Sequence, residues 1–300
     1  MRMAGHHHLP VVSIGELWHT AGPMNESSIK ELGVIAGRGV YPRVLAESAR
    51  AQGVKRIFVV AFKKETDRVI ERVADEVCWL NLGRLGAVLD ALQASGVSRV
   101  VMAGQIKPTH LFHLRLDKPM RELLRGLQER NAHTIFGAIG DQLRARGMEL
   151  TEASLFMESA MPQPGLLAGR EPNEREQADI DLGLRVAKTT SGLDIGQTVV
   201  VKEGTILAVE AFEGTDEAIE RAGRLGGPGS VVVKVAKQGH DMRFDIPVVG
   251  ERTLKKLRRI KASVLALEAG RTILLDRENV LKAADRQGLN VVAVEVERIL

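Results

Sequence analysis

The stretch LGVIAGRGVYPRVLAESARAQGVKRIFVVAF, Leu32 to Phe62, decides the fold. Its first run, LGVIA, is apolar throughout and gives way to glycines at Gly37 and Gly39. YPRVLAESARAQG then repeats its apolar residues at helical spacing and stops at Gly53, and KRIFVVAF is a second unbroken apolar run. Short apolar runs on either side of an amphipathic helix predict a strand, a helix and a second strand. Strands apolar on both faces belong to a parallel sheet that is covered on both sides.

The alternation continues downstream. A further helix, the short run VCWLNL, the helix LGAVLDALQASG and the strand SRVVMAGQ follow in order, which predicts a Rossmann-like first half. From about Lys107 to Gly147 the pattern is helical, through MRELLRGLQER and HTIFGAIGDQLRARG. MPQPGLLAGREPNERE then mixes Pro, Gly and charge with little apolar periodicity and reads as a linker or a loop draped over a site. The second half opens with the helix DIDLGLRVAKTTSG. GQTVVVKEGTILAVEAFEG comes next, two β-rich runs separated at Glu203 and Gly204 as in a hairpin. A helix, the strand SVVVKV, the helix ERTLKKLRRIKA, paired strands SVLALEAG and RTILLD, a helix and a last strand NVVAVEV complete a mixed α/β unit. The expected division is an extension over residues 1–30, a first domain over 31–155 and a catalytic domain over 156–300. His6, His7 and His8 fall in the extension, where adjacent histidines in a polar terminus are ordinarily solvated, and they are left out of the site.

A chain of 300 residues suits two domains. Aromatic content of 3% argues against stacking platforms for bases, and a net charge of +4 is too small to argue for nucleic acid, although it suits an anionic small molecule or an anionic membrane surface. The single cysteine, Cys78, excludes an internal disulfide and a thiolate-rich metal site, which fits a reducing cytoplasm. No apolar run approaches the roughly 18 residues that span a bilayer.

Chemistry-bearing residues gather at the expected ends of strands. Gly37 and Gly39 in GRGVYP either make a tight turn or let backbone amides approach an anion. Pro42 stands where a dinucleotide fingerprint wants glycine, and Lys63 and Lys64 where it wants an acidic residue, so NAD is disfavoured. Gln105 and Lys107 in AGQIKP follow the last strand of the first half and are candidates for a base, sugar or phosphate. In the second half, Gln197 and Thr198 enter the hairpin while Glu213 and Asp216 follow it, so antiparallel pairing brings both pairs to one end of the sheet. Thr215 or Asp216 can instead be a helix cap. KVAKQGHDMRFDIPVVG, Lys234 to Gly250, crowds Lys234, Lys237, Arg243 and Asp245 where a buried strand emerges. A carboxylate among cations can hold Mg²⁺ while the cations hold phosphate oxygens, and the alternative is a solvated salt-bridge cluster.

LGVIAGRGVYP, AGQIKP, ADIDLGLRVAKTTSGLDIGQTVVVKEGTILAVEAFEGTD, KVAKQGHDMRFDIPVVG and LEAGRTILLDRENVLKAADRQGLNVVAVE together closely resemble the LpxI family of bacterial UDP-2,3-diacylglucosamine diphosphatases, from Leu32 to Glu295. The resemblance implies Mg²⁺-dependent hydrolysis of the pyrophosphate linkage of UDP-2,3-diacylglucosamine in lipid A biosynthesis. Water attacks the α-phosphorus, and UMP and 2,3-diacylglucosamine 1-phosphate (lipid X) leave. It implies Asp245 in RFDIP as the essential carboxylate and Gly39, Gln105, Lys107, Thr198, Asp216 and Arg243 as site residues. Asp216 joins Asp245 as an expected metal ligand, and Gly37, Gln197, Glu213, Lys234 and Lys237 complete the expected substrate contacts. The setting implied is the cytoplasm, peripheral to the inner membrane, with a homodimer by analogy. A non-catalytic protein that binds a nucleotide sugar or lipid in the same cleft is the alternative. Arg38 stands where family members are usually richer in glycine, and KQGHD lacks a proline common there.

Overall fold

A computed structural model describes residues 29–106, 115–237, 243 and 246–296. The opening stretch forms β1 (Glu31–Ala36), α1 (Tyr41–Ala51) and β2 (Arg56–Phe62). β3 (Glu76–Leu80), α2 (Leu85–Ser95), β4 (Arg99–Ala103), α3 (Lys118–Gly126), α4 (Ala132–Ala145) and β5 (Glu149–Leu150) follow. Where a further helix was expected between β2 and β3 there is one 3-10 turn, Arg68–Arg72. The five strands lie in the order β3-β2-β1-β4-β5 and every pair is parallel. This is the doubly wound arrangement, with its switch point between β1 and β4. Alternate residues face opposite sides of a strand. Val34, Val59 and Val101 accordingly pack with Leu45 of α1, while Ile35, Val60 and Val100 pack with Leu89 and Leu92 of α2.

The second half comprises β6 (Gly165–Ala168), α5 (Glu174–Gly192), β7 (Thr198–Lys202), β8 (Thr205–Val209), α6 (Thr215–Gly226) and β9 (Val231–Lys234). It continues through β10 (Val248–Val249), α7 (Glu251–Ile260), β11 (Val264–Glu268), β12 (Ile273–Leu274), α8 (Arg277–Arg286) and β13 (Asn290–Val294). Six of these strands form a mixed sheet, β6-β13-β11-β9-β7-β8. Val199, Val231, Val233 and Val264 face α5 through Ile180 and Leu184. Val200, Val232 and Leu265 face α6, α7 and α8 through Ile219, Leu254 and Val280.

Two expectations are corrected. GLLA, read as part of a linker, is β6, an antiparallel edge strand on β13. The strands expected to pair with each other do not. β11 lies between β9 and β13 in the large sheet, and β12 pairs with β10 in a separate two-stranded sheet.

That small sheet joins the two halves. Val248, Ile273 and Leu275 pack into the core that β1 and β2 share with α1, and Val249 and Leu274 pack into the core under α7 and α8. The two-residue period of a strand therefore puts one face of a short ribbon into each core.

α5, the longest helix among the described residues, begins with a reciprocal cap. Asn173 accepts from the Glu176 amide at 2.9 Å, and Glu176 accepts from the Asn173 amide at 2.9 Å while Arg170 grips it at 2.8 and 3.1 Å. Burial pulls the Glu176 carboxyl upward, but Arg170 and the Asn173 amide outweigh it and hold it below its ordinary 4.5. Because the folded value is lowered, the stabilisation is complete above the ordinary carboxylate range and is lost as pH falls through the folded value. Glu176→Gln retains the cap geometry and removes the charge, so it is expected to cost about 1–2 kcal/mol at neutral pH. The difference should narrow on acidification. Urea midpoints across the acid range check this, and a cost that does not change with pH would contradict it.

Candidate active site

At the switch point of the first sheet, the loops that leave β1 and β4 are joined backbone to backbone. The Arg38 amide donates to the Gln105 carbonyl at 2.8 Å, and the Gln105 amide to the Arg38 carbonyl at 3.1 Å. A Cβ on Gly37 would stand 2.7 Å from the Gln105 carbonyl oxygen, so the close approach itself requires glycine there. Gly37 is buried, whereas Gly39 and Gln105 are exposed on the rim. Lys107 lies outside the described residues.

In the second sheet, antiparallel pairing sets Thr198, at the start of β7, opposite Lys234, at the end of β9. α6 begins beside them at Thr215. The Lys234 ammonium, 7% exposed as a residue, donates to Thr215 Oγ1 at 3.0 Å and to Thr198 Oγ1 at 3.3 Å. Thr215 Oγ1 donates to Glu210 Oε1 at 2.8 Å. Glu210 Oε2 is buried without a hydrogen-bond partner among the described residues. The helix cap is Gly214, with no side-chain capping bond, so the alternative that Thr215 or Asp216 serves as the cap does not hold. The Thr215 hydroxyl is instead turned toward Lys234.

Three of the remaining candidates sit in ion pairs of their own. Lys237 holds Asp194 at 2.9 Å, Asp216 holds Arg252 at 2.5 Å, and Glu213 holds Arg221 at 2.6 Å. Slight burial pulls the Glu213 carboxyl upward, but the Arg221 guanidinium and backbone amides outweigh it and keep it below its ordinary value. The Gln197 carbonyl accepts from the Val235 amide at 3.0 Å, which continues the β7–β9 pairing one step past the strand ends. Arg243 lies against α4 of the first half, its Nη1 3.5 Å from where a Cβ on Gly140 would be. His240, Asp241 and Asp245 lie outside the described residues. Ile246 is described, and it packs on the first core, so the chain just after Asp245 is held against the first half of the molecule.

Asp194 and Ile195 precede β7, and Glu210 to Gly214 follow β8. The two segments touch because a Cβ on Gly196 would overlap the Glu210 carbonyl oxygen. Gly196→Ala must therefore move backbone, and it is expected to destabilise by about 1–3 kcal/mol. An unchanged urea midpoint would show that the contact carries no load.

Lys188 and Glu268, which the sequence reading did not select, form a buried ion pair near this edge. Lys188 Nζ donates to both Glu268 oxygens at 2.7 Å and to the Ala236 carbonyl at 2.9 Å. Glu268 Oε2 also accepts from the Ala236 amide at 2.7 Å.

Among the described residues, no three His, Cys, Asp or Glu side chains are grouped to hold a metal ion. Mg²⁺ commonly keeps its waters and takes one or two carboxylates plus substrate phosphate oxygens, so a full protein cage is not required for it. Asp216, half-buried at the first turn of α6, is a carboxylate of the kind such a site takes, and it is paired with Arg252.

Family models described as the LpxI N-terminal domain and the LpxI C-terminal domain match residues 31–160 and 163–292. A curated relative, UDP-2,3-diacylglucosamine pyrophosphatase LpxI of Caulobacter vibrioides, is 32% identical over 281 residues, which is 89% of this chain and 98% of the relative. Two solved structures are far less similar. An ADP complex of N5-carboxyaminoimidazole ribonucleotide synthetase is 15% identical, with a TM-score of 0.24, over 64% of this chain and 44% of its own. A biotin carboxylase from Campylobacter jejuni is 10% identical, with a TM-score of 0.28, over 66% of this chain and 42% of its own. Likenesses that slight say nothing of what this chain binds.

Proposed function

The chain belongs to the LpxI family, and from that premise we propose that it hydrolyses the pyrophosphate bond of UDP-2,3-diacylglucosamine in lipid A biosynthesis, releasing UMP and lipid X. The observation that carries the reading is that both halves of the chain match the family in order, with a curated relative aligned along nearly its whole length. The reaction is Mg²⁺-dependent, with water attacking the α-phosphorus.

In-line attack on a phosphoryl group needs positioning and charge neutralisation more than covalent help. Lys234, fixed between Thr198 and Thr215, contributes a cation at a set position, and Lys237 and Arg243 add two more beside the phosphates. Asp245 supplies the carboxylate, as metal ligand or as acceptor for the attacking water, with Asp216 or Glu213 as the second acidic contributor. Bound Mg²⁺ would neutralise charge on the phosphate oxygens. Gly37, Gly39, Gln105 and Lys107 serve the substrate from the first half, and Gln197 lies beside Thr198.

The substrate is diacylated, and the protein meets it at the cytoplasmic face of the inner membrane without crossing it. Leu193, Ile195 and Phe212 support this reading: they stand 68%, 45% and 62% exposed on the two touching segments beside the Lys234 cluster. None of the described helices is long and apolar enough to cross a membrane. The active form is a homodimer, which gel filtration with light scattering tests.

Purified protein incubated with UDP-2,3-diacylglucosamine should release UMP with Mg²⁺ and none with EDTA. In ¹⁸O-water the label should enter UMP. Absence of UMP overturns the activity, turnover in EDTA removes the metal requirement, and label in the sugar phosphate moves the attack to the other phosphorus.

A further inference from the structure

Resting on that reading, we propose that Lys188 and Glu268 are positioning residues that hold Lys234 and Lys237 in place by clamping the backbone of Ala236 between them. A buried ion pair is a poor way to gain stability, since well-packed apolar residues often serve as well. This one does something apolar residues cannot. Lys188 donates to the carbonyl of residue 236, and Glu268 accepts from the amide of the same residue. Both polar groups of one peptide position are thereby fixed, from α5 on one side and from the end of β11 on the other.

The position matters because sheet pairing runs out there. β9 pairs with β11 as far as Lys234 opposite Leu267, and the Val235 amide then bonds to the Gln197 carbonyl. At Ala236 none of the described strands remains to take the backbone groups, and a buried peptide without partners is costly. The clamp takes both and fixes the direction in which the chain leaves the sheet. Lys234 lies two residues before it and Lys237 one residue after. One cation is turned toward Thr198 and Thr215, and the other reaches Asp194. The pair itself is 7% exposed on each side, so it is the support and not a contact of the substrate.

The test is the double variant Lys188→Met/Glu268→Gln, which removes both charges together and keeps an acceptor for the Ala236 amide. At a temperature where circular dichroism shows it folded, kcat is expected to fall about 30- to 100-fold with KM changed by less than about 5-fold, the signature of misplaced groups. Hydrogen exchange should accelerate at the Ala236 amide and leave the amides of β9 and β11 as they are. Glu268→Asp keeps both charges but retracts the carboxylate by one methylene. It carries the test if the double variant does not fold, and about a 10-fold loss of kcat is expected. Folded variants with kcat within about 3-fold of wild type overturn the proposal. If wild-type protein releases no UMP, the proposed function fails instead, and exchange at Ala236 still decides whether the clamp exists.

Discussion

Asp245→Asn is expected to lower kcat for UMP release about 1,000-fold, within the range that general acid or base catalysis supplies. Asparagine has nearly the shape of aspartate but carries no charge, so it neither holds a divalent cation well nor accepts a proton from water. The fold should survive the change. The following residue, Ile246, is anchored in the first core, and β10 just beyond it pairs in register with β12. Anchoring of this kind does not depend on a charge at position 245. Initial rates with and without Mg²⁺, beside a thermal melt, measure both halves of the expectation. A folded variant that still turns over near the wild-type rate would remove Asp245 from the chemistry and leave Asp216 and Glu213 as the acidic candidates. Asp216→Asn is the comparison, because its carboxylate already has Arg252 at 2.5 Å.

The first sheet was legible through β4 because its strands obey local rules, although the helix expected before β3 is a 3-10 turn and the two-residue β5 was not foreseen. Apolar runs, amphipathic helices and glycine stops recur in order from Leu32 to Ala103, and each strand lies next to one already placed. The second sheet obeys fewer such rules. β6 is short, lies between Pro-rich and charged segments, and is a strand only because β13 pairs with it. β12 looks like the hairpin partner of β11, but the arrangement that buries Ile273 and Leu275 in one core and Leu274 in the other joins it to β10. Sequence spacing contains no term for a ribbon shared between two cores.

The site was legible in part for the same reason. Antiparallel pairing after a two-residue hairpin turn brings Thr198 to the end of the sheet where α6 starts, as the spacing predicts. The distance from Lys234 to Thr198 depends on a third strand and could not be read locally. Gly37 illustrates an ambiguity that sequence leaves open. Glycine serves an anion and a close backbone contact equally well, and here the contact with Gln105 is present. Lys188 and Glu268 did leave a signal. Lys188 follows Ile180 and Leu184 at steps of four, on the buried face of α5, and Glu268 ends the apolar run VLALE. Two opposite charges at core positions have to find each other, because neither is stable alone.

That necessity gives the largest stability effect expected. Lys188→Met should destabilise the protein by about 3–5 kcal/mol, since it leaves the Glu268 carboxylate buried without its main partner. Glu268 is 5% exposed, so water cannot take over, and among the described residues the other cation beside it is Arg271, its Nε at 3.8 Å on a half-exposed side chain. Arg271 offers partial compensation and places the cost toward the lower end of the range. Glu268→Gln should cost a similar amount from the other side, because it strands the Lys188 ammonium. The double variant removes both charges and is expected to recover most of the loss, so the two single costs will not add. Urea unfolding of the four proteins closes the cycle. If Lys188→Met proves no less stable than the double variant, the charges are not coupled, and the Ala236 clamp cannot rest on them.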